Sequence, residues 1–409
     1  MHFPKLQRRP ELDAIRGLFL VWMTLAHLPT RFSEFVNQPI GFVSSAEGFV
    51  FLSALLVARL YIRQAHEDHV ALRTKLWRRA LKIYGYHLLM LALVFTVAAT
   101  LAVTTHRVAL YNLLNFYLAH PFVAIIGSLL LLYCPPLLDI LPMYVIFLAF
   151  TPTMLSAAIR WGWKRVLAAS GLIWLLAQFG LRDLVHNAVV HLTGLPIPVQ
   201  ESGAFNLFAW QWVWIAGLWL GARSAEGQMP LRLVPGWASA AGAAVCLFFI
   251  GVRHNWLGPH LTADTFGLQL DKWSIGPLRI LNLIAFTIVV FWLRRFVLKL
   301  VAVEPFLTLG KASLEVFCAH LFFVFIGLAL LAGDVPQLHG LSAISLLVVT
   351  FSGLILVAAR EVRRRHQHGP SNPTQPPQSD SPVESVPSTS QHNQAPEVVP
   401  AQVNSRALP

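Results

Sequence analysis

The sequence is poor in charged residues and in cysteine. Only 12% of its residues are Asp, Glu, Lys or Arg, whereas 56% are hydrophobic; an ordinary soluble domain carries about twice that charged fraction. The three cysteines are scattered in or beside apolar runs, which argues against a disulfide framework or a thiolate metal site. A Walker-type glycine loop, an HExxH pair and a GxSxG elbow are also lacking in any suitable context. ATP-driven transport and soluble-type serine hydrolysis are therefore not supported, and we expect neither a metal site nor a tightly bound cofactor.

Long apolar runs dominate the sequence instead. They recur at the roughly 17–25 residues that a helix needs to cross a bilayer, and the mean hydropathy is +0.60. This pattern predicts an all-α, polytopic membrane protein with about ten transmembrane helices. The predicted spans lie approximately at 14–32, 41–60, 82–103, 141–158, 166–182, 206–222, 235–252, 277–293, 312–332 and 341–359. We expect no cleavable signal peptide, because charges of both signs precede the first run.

The basic residues indicate membrane orientation. The net charge is +12, but Lys and Arg cluster at the ends of apolar segments, as the positive-inside rule expects, so we expect no nucleic-acid partner. Every cluster falls on one side if segment 109–138 is not a full crossing. Its clean apolar part is only about a dozen residues long, which suits a re-entrant or interfacial segment. Both termini are then expected in the cytoplasm, in the inner membrane of a bacterium.

The last residues have a different composition. Residues 366–409 are rich in Pro, Ser, Gln, Asn and Val without apolar periodicity, which predicts a disordered cytoplasmic tail. Residues 1–365 are predicted to form one membrane-embedded domain.

The first predicted span carries a polar stripe. Asp13, Arg16, Leu20, Thr24 and His27 fall on one narrow face at about 100° per residue. His27 then lies roughly 16 Å beyond Arg16, deep in the membrane. Because lipid contact would be costly, this stripe is expected to face a bundle interior or a wet cavity.

Two further ionisable residues lie inside predicted spans. Glu47, in the second span, is expected to pair with His27, to fix its tautomer and to raise its basicity. The alternative is a structural pair that holds two helices together; function is favoured because intramembrane ionisable residues are rare. His320 is either a helix-packing histidine or a second catalytic residue.

Two other regions each allow a structural and a functional interpretation. The basic stretch from Arg59 to Lys82 fits anionic lipid headgroups, or a phosphate-rich ligand such as coenzyme A bound by Arg16, Arg78 and Arg79. The stretch 201–221 contains Asn206, Trp210 and Gln211, which fit an interfacial aromatic belt, or a sugar that stacks on indoles and bonds to amides. The sequence leaves both choices open.

Several motifs resemble a known family. The run from Arg9 to Gly17, RPELDAIRG, resembles the opening of the type 3 membrane acyltransferase superfamily, and more closely the OpgC family, whose members are implicated in succinylating osmoregulated periplasmic glucans. Weaker likenesses are SSAEGFVFLS (44–53), LDILPMY (138–144), FNLFAWQ (205–211), GPLRILN (276–282) and LGKASLEVFCAH (309–320). The resemblance implies that His27 is the catalytic base, and that Arg9, Asp13 and Arg16 organise the cytoplasmic entry of an acyl-CoA donor. The second-span motif departs from the family, since Ser53 is followed by Ala54 rather than glycine.

The resulting hypothesis is a membrane-bound O-acyltransferase. Succinyl-CoA or acetyl-CoA would be the co-substrate, a periplasmic glucan or another carbohydrate the acceptor, and membrane lipids the surroundings. His27, oriented by Glu47, would deprotonate the acceptor hydroxyl, and Asn206, Trp210 and Gln211 would hold the acceptor. The alternative is a glycan transporter or flippase that uses His27 and Glu47 as a proton relay, although the two related halves typical of such proteins are not evident.

Overall fold

The fold is helical throughout the part of the chain that the structure describes. The structure is a computed structural model, and it describes residues 9–228, 234–258, 260–331 and 335–367. Within these ranges two isolated β-bridges occur and no β-strand. The α-helices are α1 (Pro10–His27), α2 (Phe32–Val36), α3 (Ser45–Glu67), α4 (His69–Leu93), α5 (Ala99–Thr104), α6 (Val108–Leu113), α7 (Asn115–Ala119), α8 (Pro121–Leu129), α9 (Ile140–Trp161), α10 (Trp163–Gln178), α11 (Leu181–Thr193), α12 (Leu207–Ala225), α13 (Gly236–Arg253), α14 (Ala263–Phe266), α15 (Pro277–Trp292), α16 (Arg294–Val301), α17 (Phe306–Lys311), α18 (Ser313–Leu330) and α19 (Gly340–Gln367).

The all-α membrane fold is confirmed, but the number of long spans is below the ten predicted. Six helical segments among the described residues are long and apolar enough to cross a membrane, or seven if the bent pair α10 and α11 forms one span. Helices do occupy the other predicted positions. However, α1 carries three charged residues, α12 contains four tryptophans and a glutamine, and α15 has only 16 residues. The sequence pattern located these helices, yet their composition or length is unlike that of a simple lipid-facing span.

The segment 109–138 contains no continuous spanning helix, as expected. It is built from the last part of α6, then α7 and α8, and the longest of these helices has nine residues. The predicted span 166–182 is instead broken: α10 and α11 meet at an angle of 80°, at Gly180, whose φ of +85° favours glycine. The first two residues of the predicted tail, 366 and 367, are the last two residues of α19. Residues 368–409 lie outside the described residues.

Glycines set two close helix contacts. In α12, Gly217 and Gly221 lie against the backbone of α3, where a side-chain carbon would clash with the carbonyl oxygens of Phe51 and Leu55. This is the small-residue spacing that lets two membrane helices approach closely. The Cβ of Ala54 faces Gly217, so the glycine that the second-span motif lacks is compensated by glycine on the partner helix. Gly17 and Gly310 bring α1 and α17 together in the same way.

Candidate active site

The two histidines on α1 and α18 contact each other. His27 is the last residue of α1, and His320 lies within α18. Nδ1 of His27 is 3.4 Å from Nε2 of His320, and the rings stack with centroids 5.6 Å apart. His320 is fully buried, whereas His27 is partly exposed. The structure therefore places both predicted catalytic histidines in one pair, although they are 293 positions apart in sequence.

The contacts of this pair favour one arrangement of the ring protons. Nδ1 of His320 lies 2.5 Å from the carbonyl oxygen of Phe317. Because a carbonyl oxygen only accepts, Nδ1 must be the donor, and Nε2 of neutral His320 is then an acceptor. The 3.4 Å contact then suits Nδ1 of His27 as the donor, and in that tautomer Nε2 of His27 carries no proton. A histidine held in this tautomer by a second group is arranged as a general base is.

Glu47 is not the partner of His27, so that prediction was wrong. Its Oε1 accepts from Nε of Arg279 at 2.6 Å and pairs with Nη2 at 2.5 Å. Its Oε2 accepts from the backbone N–H and the hydroxyl of Ser44 at the start of α3. Glu47 and Arg279 are both 1% exposed. A buried guanidinium outcompetes a neutral imidazole for a carboxylate, and Glu47 therefore joins α3 to α15.

A cavity of about 320 Å³ lies beside His27, and we call it the histidine cavity. Its walls come from α1, the start of α3, and the loops around residues 134–139, 200–205 and 272–273. Polar and aromatic residues line it together: Trp22, Asn37, Gln38, Ser44, Ser45, Asp139, Gln200, Glu201, Lys272 and Trp273. This mixture of indoles, amides and charges can both stack on a sugar ring and bond to its hydroxyls.

Lys272 is the cation of the histidine cavity. Its Nζ lies 4.8 Å from the centroid of the Trp273 ring. Among the described residues, no carboxylate forms an ion pair with it. Burial lowers the pKa of Lys272, while the charge of Glu47 raises it. An ammonium group in such a place can receive an anion.

Asp139 is the buried carboxyl of the same cavity. It is 8% exposed, and its Oδ2 accepts from the backbone N–H of Ala204 at 2.9 Å. Burial raises the pKa of Asp139 to about 6, against the hydrogen bond to Ala204 and the charge of Lys272, which both lower it. Since the folded pKa exceeds the unfolded value, the contribution of Asp139 to stability is greatest in acid and is lost as the pH rises from about 4 to about 6.

A second cavity, of about 340 Å³, lies on the other side of the histidine pair, and we call it the cationic cavity. Its charged lining residues are Arg16, Arg79, Lys82, Lys311, Arg365 and Glu315. Glu315 accepts from Lys82 at 3.1 Å and from Arg365 at 3.0 Å. No ion pair joins Arg16, Arg79 or Lys311 to a carboxylate within the described ranges. Three cationic side chains are thus available to an anion such as a phosphate.

The two cavities are adjacent. Ile140 and Phe317 line both of them. The ring of Phe317 stacks on Phe49 with centroids 6.2 Å apart and meets His320 edge-on at 4.8 Å. Lys82 and Arg365 are each about half exposed, so the cationic cavity reaches the surface. Phe317 and Ile140 therefore form the boundary between the surface-connected cationic cavity and the histidine cavity, which contains His27.

The structure brings together only some of the predicted acyl-CoA residues. Arg16 and Arg79 line the cationic cavity, as the CoA interpretation requires. Arg78 is exposed on the outer face of α4, and Arg9 lines a groove separate from the cationic cavity. Asp13 is partly buried on α1 and lines none of these cavities. Arg9, Asp13 and Arg78 do not line the cationic cavity, and their assignment to acyl-CoA stays a prediction.

The three predicted acceptor residues make hydrogen bonds within the protein, and their role in binding an acceptor stays a prediction without support from the structure. The side chain of Asn206 caps α12 by accepting from the N–H groups of Phe208 and Ala209. The indole N–H of Trp210 donates to the carbonyl of Trp273 at 3.0 Å, and Trp210 is fully buried. Gln211 exchanges hydrogen bonds with Ser170. Their polar groups are used inside the protein, and none of the three lines the histidine cavity.

Several residues of the two cavities were missed from the sequence. Lys272 and Glu201 lie in loops without a motif, and Lys311 and Arg365 resemble ordinary positive-inside residues at helix ends. A lysine next to a tryptophan, shortly before the predicted span 277–293, is the only signal for Lys272 in the sequence. Within the described part of the chain, no group of three or more His, Cys, Asp or Glu could hold a metal ion.

Comparisons with known proteins agree with this architecture. The family model described as OpgC protein matches residues 8–366, nearly the whole chain. No curated protein and no solved structure gives a significant match. The match includes both histidines and all residues that line the two cavities. The chain therefore belongs to the OpgC protein family.

Proposed function

We propose that this protein is an O-acyltransferase that moves an acyl group from acyl-CoA to a carbohydrate hydroxyl at His27. Membership of the OpgC family implies an acyltransferase-like enzyme. The observation that supports the proposal best is the position of His27. It contacts His320 and lines a cavity suited to a sugar, and this cavity shares Ile140 and Phe317 with the cationic cavity.

The cationic cavity would receive the acyl-CoA. The phosphates of coenzyme A would pair with Arg16, Arg79 and Lys311, which form no ion pair with a carboxylate among the described residues. The volume of about 340 Å³ suits the pantetheine arm rather than the complete molecule, so the nucleotide would lie at the exposed end near Lys82 and Arg365. The thioester would reach His27 past Phe317.

The acceptor hydroxyl would attack the thioester directly. Nε2 of His27 would take the hydroxyl proton while the oxygen attacks the carbonyl carbon, and the carbon–sulfur bond would then break. The coenzyme A thiolate would leave with the proton from His27, which restores the base. The first-turn N–H groups of Ser45 and Ala46, at the start of α3, border the cavity and would stabilise the developing oxyanion.

A dicarboxylic acyl group such as succinyl would suit the histidine cavity. An acyl chain that extends beyond the carbonyl enters this cavity, where Lys272 can pair with a terminal carboxylate. The acceptor, a glucan or a related carbohydrate, would stack on Trp22 or Trp273. We further propose a bacterial inner membrane location with the cationic cavity facing the cytoplasm and the histidine cavity facing the periplasm.

Release of free coenzyme A from succinyl-CoA by the purified protein, with a periplasmic glucan as acceptor, tests the proposal. His27→Ala should lower the rate by about 10²–10⁴-fold, the usual contribution of a general base. His320→Ala should lower kcat with little change in KM and shift the pH profile, because His320 positions His27 and does not touch substrate. Thr24→Ser is a matched control, since Thr24 bonds only to its own helix at the carbonyl of Leu20.

Two outcomes would refute the proposal. One is full coenzyme A release by folded His27→Ala protein. The other is no coenzyme A chemistry with any donor, while glucan crosses sealed vesicles, as the transporter hypothesis requires. That hypothesis depended on a relay between His27 and Glu47, which the pairing of Glu47 with Arg279 does not provide.

A further inference from the structure

Two neighbouring side chains of the histidine cavity have polar groups that the protein itself does not use. Gln200 and Glu201 line the cavity from the loop before α12. Among the described residues, neither side chain forms a hydrogen bond or an ion pair within the protein. Asn206, Trp210 and Gln211 differ in this respect, because their polar groups are bonded internally. An amide and a carboxylate in the cavity of His27 are therefore available to a ligand.

The loop that carries Glu201 is held on both sides. From α11, Nη2 of Arg182 donates to the hydroxyl of Ser202 at 2.9 Å and to the carbonyl oxygen of Gly203. From the other side, the backbone N–H of Cys134 donates to the carbonyl oxygen of Glu201 at 3.0 Å. Because these bonds restrict the backbone around Glu201, its carboxylate is presented at a fixed place, as a preorganised binding group requires.

Two indole rings form other parts of the cavity wall. Trp22 lies on α1 five residues before His27, and its indole N–H donates to the carbonyl oxygen of Val36 at 2.6 Å. Trp273 meets Phe205 edge-on, with ring centroids 5.4 Å apart. Both indoles line the cavity. Their flat faces suit the apolar face of a sugar ring, whose hydroxyls then point to the polar groups around it.

Glu201 is not the counter-ion of the cation in the same cavity. Glu47 and Asp139 are the acids whose charges act on Lys272. The pKa of the Glu201 carboxyl is raised by burial, and no ion pair joins it to Lys272 in the described part of the chain. A carboxylate without a cation repels anions and accepts hydrogen bonds, so Glu201 favours uncharged hydroxyl groups.

We propose that Glu201 binds two neighbouring hydroxyls of the sugar ring that accepts the acyl group. The two oxygens of a carboxylate only accept, so each can take one O–H bond from a vicinal pair. The ring stacks on Trp22 or Trp273, and Arg182 is a positioning residue for the loop. The volume of about 320 Å³ is near the lower end of the range for small-molecule sites, so a short part of a carbohydrate enters. This inference rests on the proposed function for the nature of the ligand.

Glucan binding without an acyl donor tests the site directly. Isothermal titration calorimetry of the full chain in detergent, with extracted periplasmic glucan as the probe, measures Kd. Glu201→Gln keeps the shape of the side chain and removes its charge, so Kd should rise about tenfold or more, as expected for lost hydrogen bonds to a charged group. Arg182→Gln should also weaken binding, and Arg182→Lys should restore part of it, because an ammonium group can still donate to the loop.

A matched control and a kinetic measurement separate binding from a structural role. Glu34→Gln should bind glucan like the unaltered protein, because Glu34 is an exposed acid on α2 that bonds to Gln337 and does not line the cavity. In Glu201→Gln, KM for the glucan should rise about tenfold, in line with the change in Kd. KM for succinyl-CoA should change little, since the donor enters through the cationic cavity.

Equally tight glucan binding by Glu201→Gln and the unaltered protein would overturn the inference. An equal loss in Glu34→Gln would overturn it too, because it would indicate a general effect of charge. If the unaltered protein binds no glucan but still releases coenzyme A, the inference fails and the acyl transfer stands. Glucan binding that depends on Glu201, without coenzyme A chemistry from any donor, would support this carbohydrate site and refute the proposed function.

Discussion

In the proposed acyl transfer, Lys272 is the residue that would give the histidine cavity a preference among acyl groups. Its ammonium is largely buried next to Trp273 and shares the cavity with His27. An unpaired cation near a catalytic base would be unfavourable unless an anion joins it during the reaction. A succinyl group brings such an anion, whereas an acetyl group does not. Under this proposal Lys272 would distinguish succinyl-CoA from acetyl-CoA, which the sequence leaves equally acceptable.

Replacement of Lys272 should change donor selectivity. In Lys272→Met, we expect kcat/KM for succinyl-CoA to fall by about tenfold to a hundredfold, since a hydrogen bond to a charged group is lost. Turnover of acetyl-CoA should be unchanged or higher, because no carboxylate is there to be bound. Steady-state kinetics with both donors measure this, and Lys164→Met, exposed on α10, is the control. An equal loss with both donors would contradict the proposed role.

The candidate site could be predicted only in part at this scale. His27 and His320 stand out because an ionisable ring inside an apolar run is costly. Their mutual contact could not be predicted, since it depends on the crossing of α1 and α18. The sequence pairs Glu47 with His27 because both lie toward the non-cytoplasmic half if the first two spans are antiparallel neighbours. Its true partner, Arg279, comes 232 positions later.

At the scale of helices, the pairing of Glu47 with Arg279 joins the N-terminal ends of α3 and α15. Both side chains are 1% exposed, and the remaining Glu47 oxygen is bound by Ser44. A buried pair contributes little net stability compared with apolar residues, but the loss of one partner leaves an uncompensated charge. The pair therefore fixes the start of α3, which borders the histidine cavity.

A double-mutant cycle should reveal this coupling. Arg279→Met is expected to destabilise the protein by about 3–5 kcal/mol, because Glu47 remains buried without its cation. Glu47→Leu combined with Arg279→Met should recover most of that loss, giving a coupling energy well above the roughly 0.5 kcal/mol expected for independent sites. Denaturant unfolding in detergent measures all four proteins. Additive effects would show that the two side chains act separately.

Helix positions could be predicted from the sequence more fully than helix roles. Each of the ten predicted spans coincides with at least one helix, because apolar runs of that length have few other solutions in a membrane. Tryptophan, glutamine and the arginines lower the hydropathy of α12 and α1, which pack inside the bundle. The break between α10 and α11 has one local signal, Gly180. The angle of 80° between α10 and α11 has no further signal in the sequence.

At the scale of the whole molecule, the two cavities differ in the residues that line them. The cationic cavity is built from α1, α4, α9 and the ends of α17, α18 and α19, where basic residues cluster. The histidine cavity is built from loops and helix ends on the other side of Phe317. Under the proposed function, acyl-CoA and the carbohydrate would approach His27 through different cavities. Charge patterning indicated the first end, while the second required long-range loop contacts that no sequence pattern encodes.

This division predicts sidedness of the reaction. In sealed inside-out vesicles that contain glucan in the lumen, external succinyl-CoA should be consumed and the internal glucan should be acylated, as mass spectrometry of the glucan would show. Right-side-out vesicles should be inactive until a detergent opens them, because acyl-CoA does not cross a bilayer. Arg79→Gln should raise KM for succinyl-CoA in the inside-out vesicles with little change in kcat, since Arg79 lines the cationic cavity and not the histidine cavity. Activity in intact right-side-out vesicles with external donor would mean that the donor enters from the opposite end, and the assignment of the two cavities would have to be reversed.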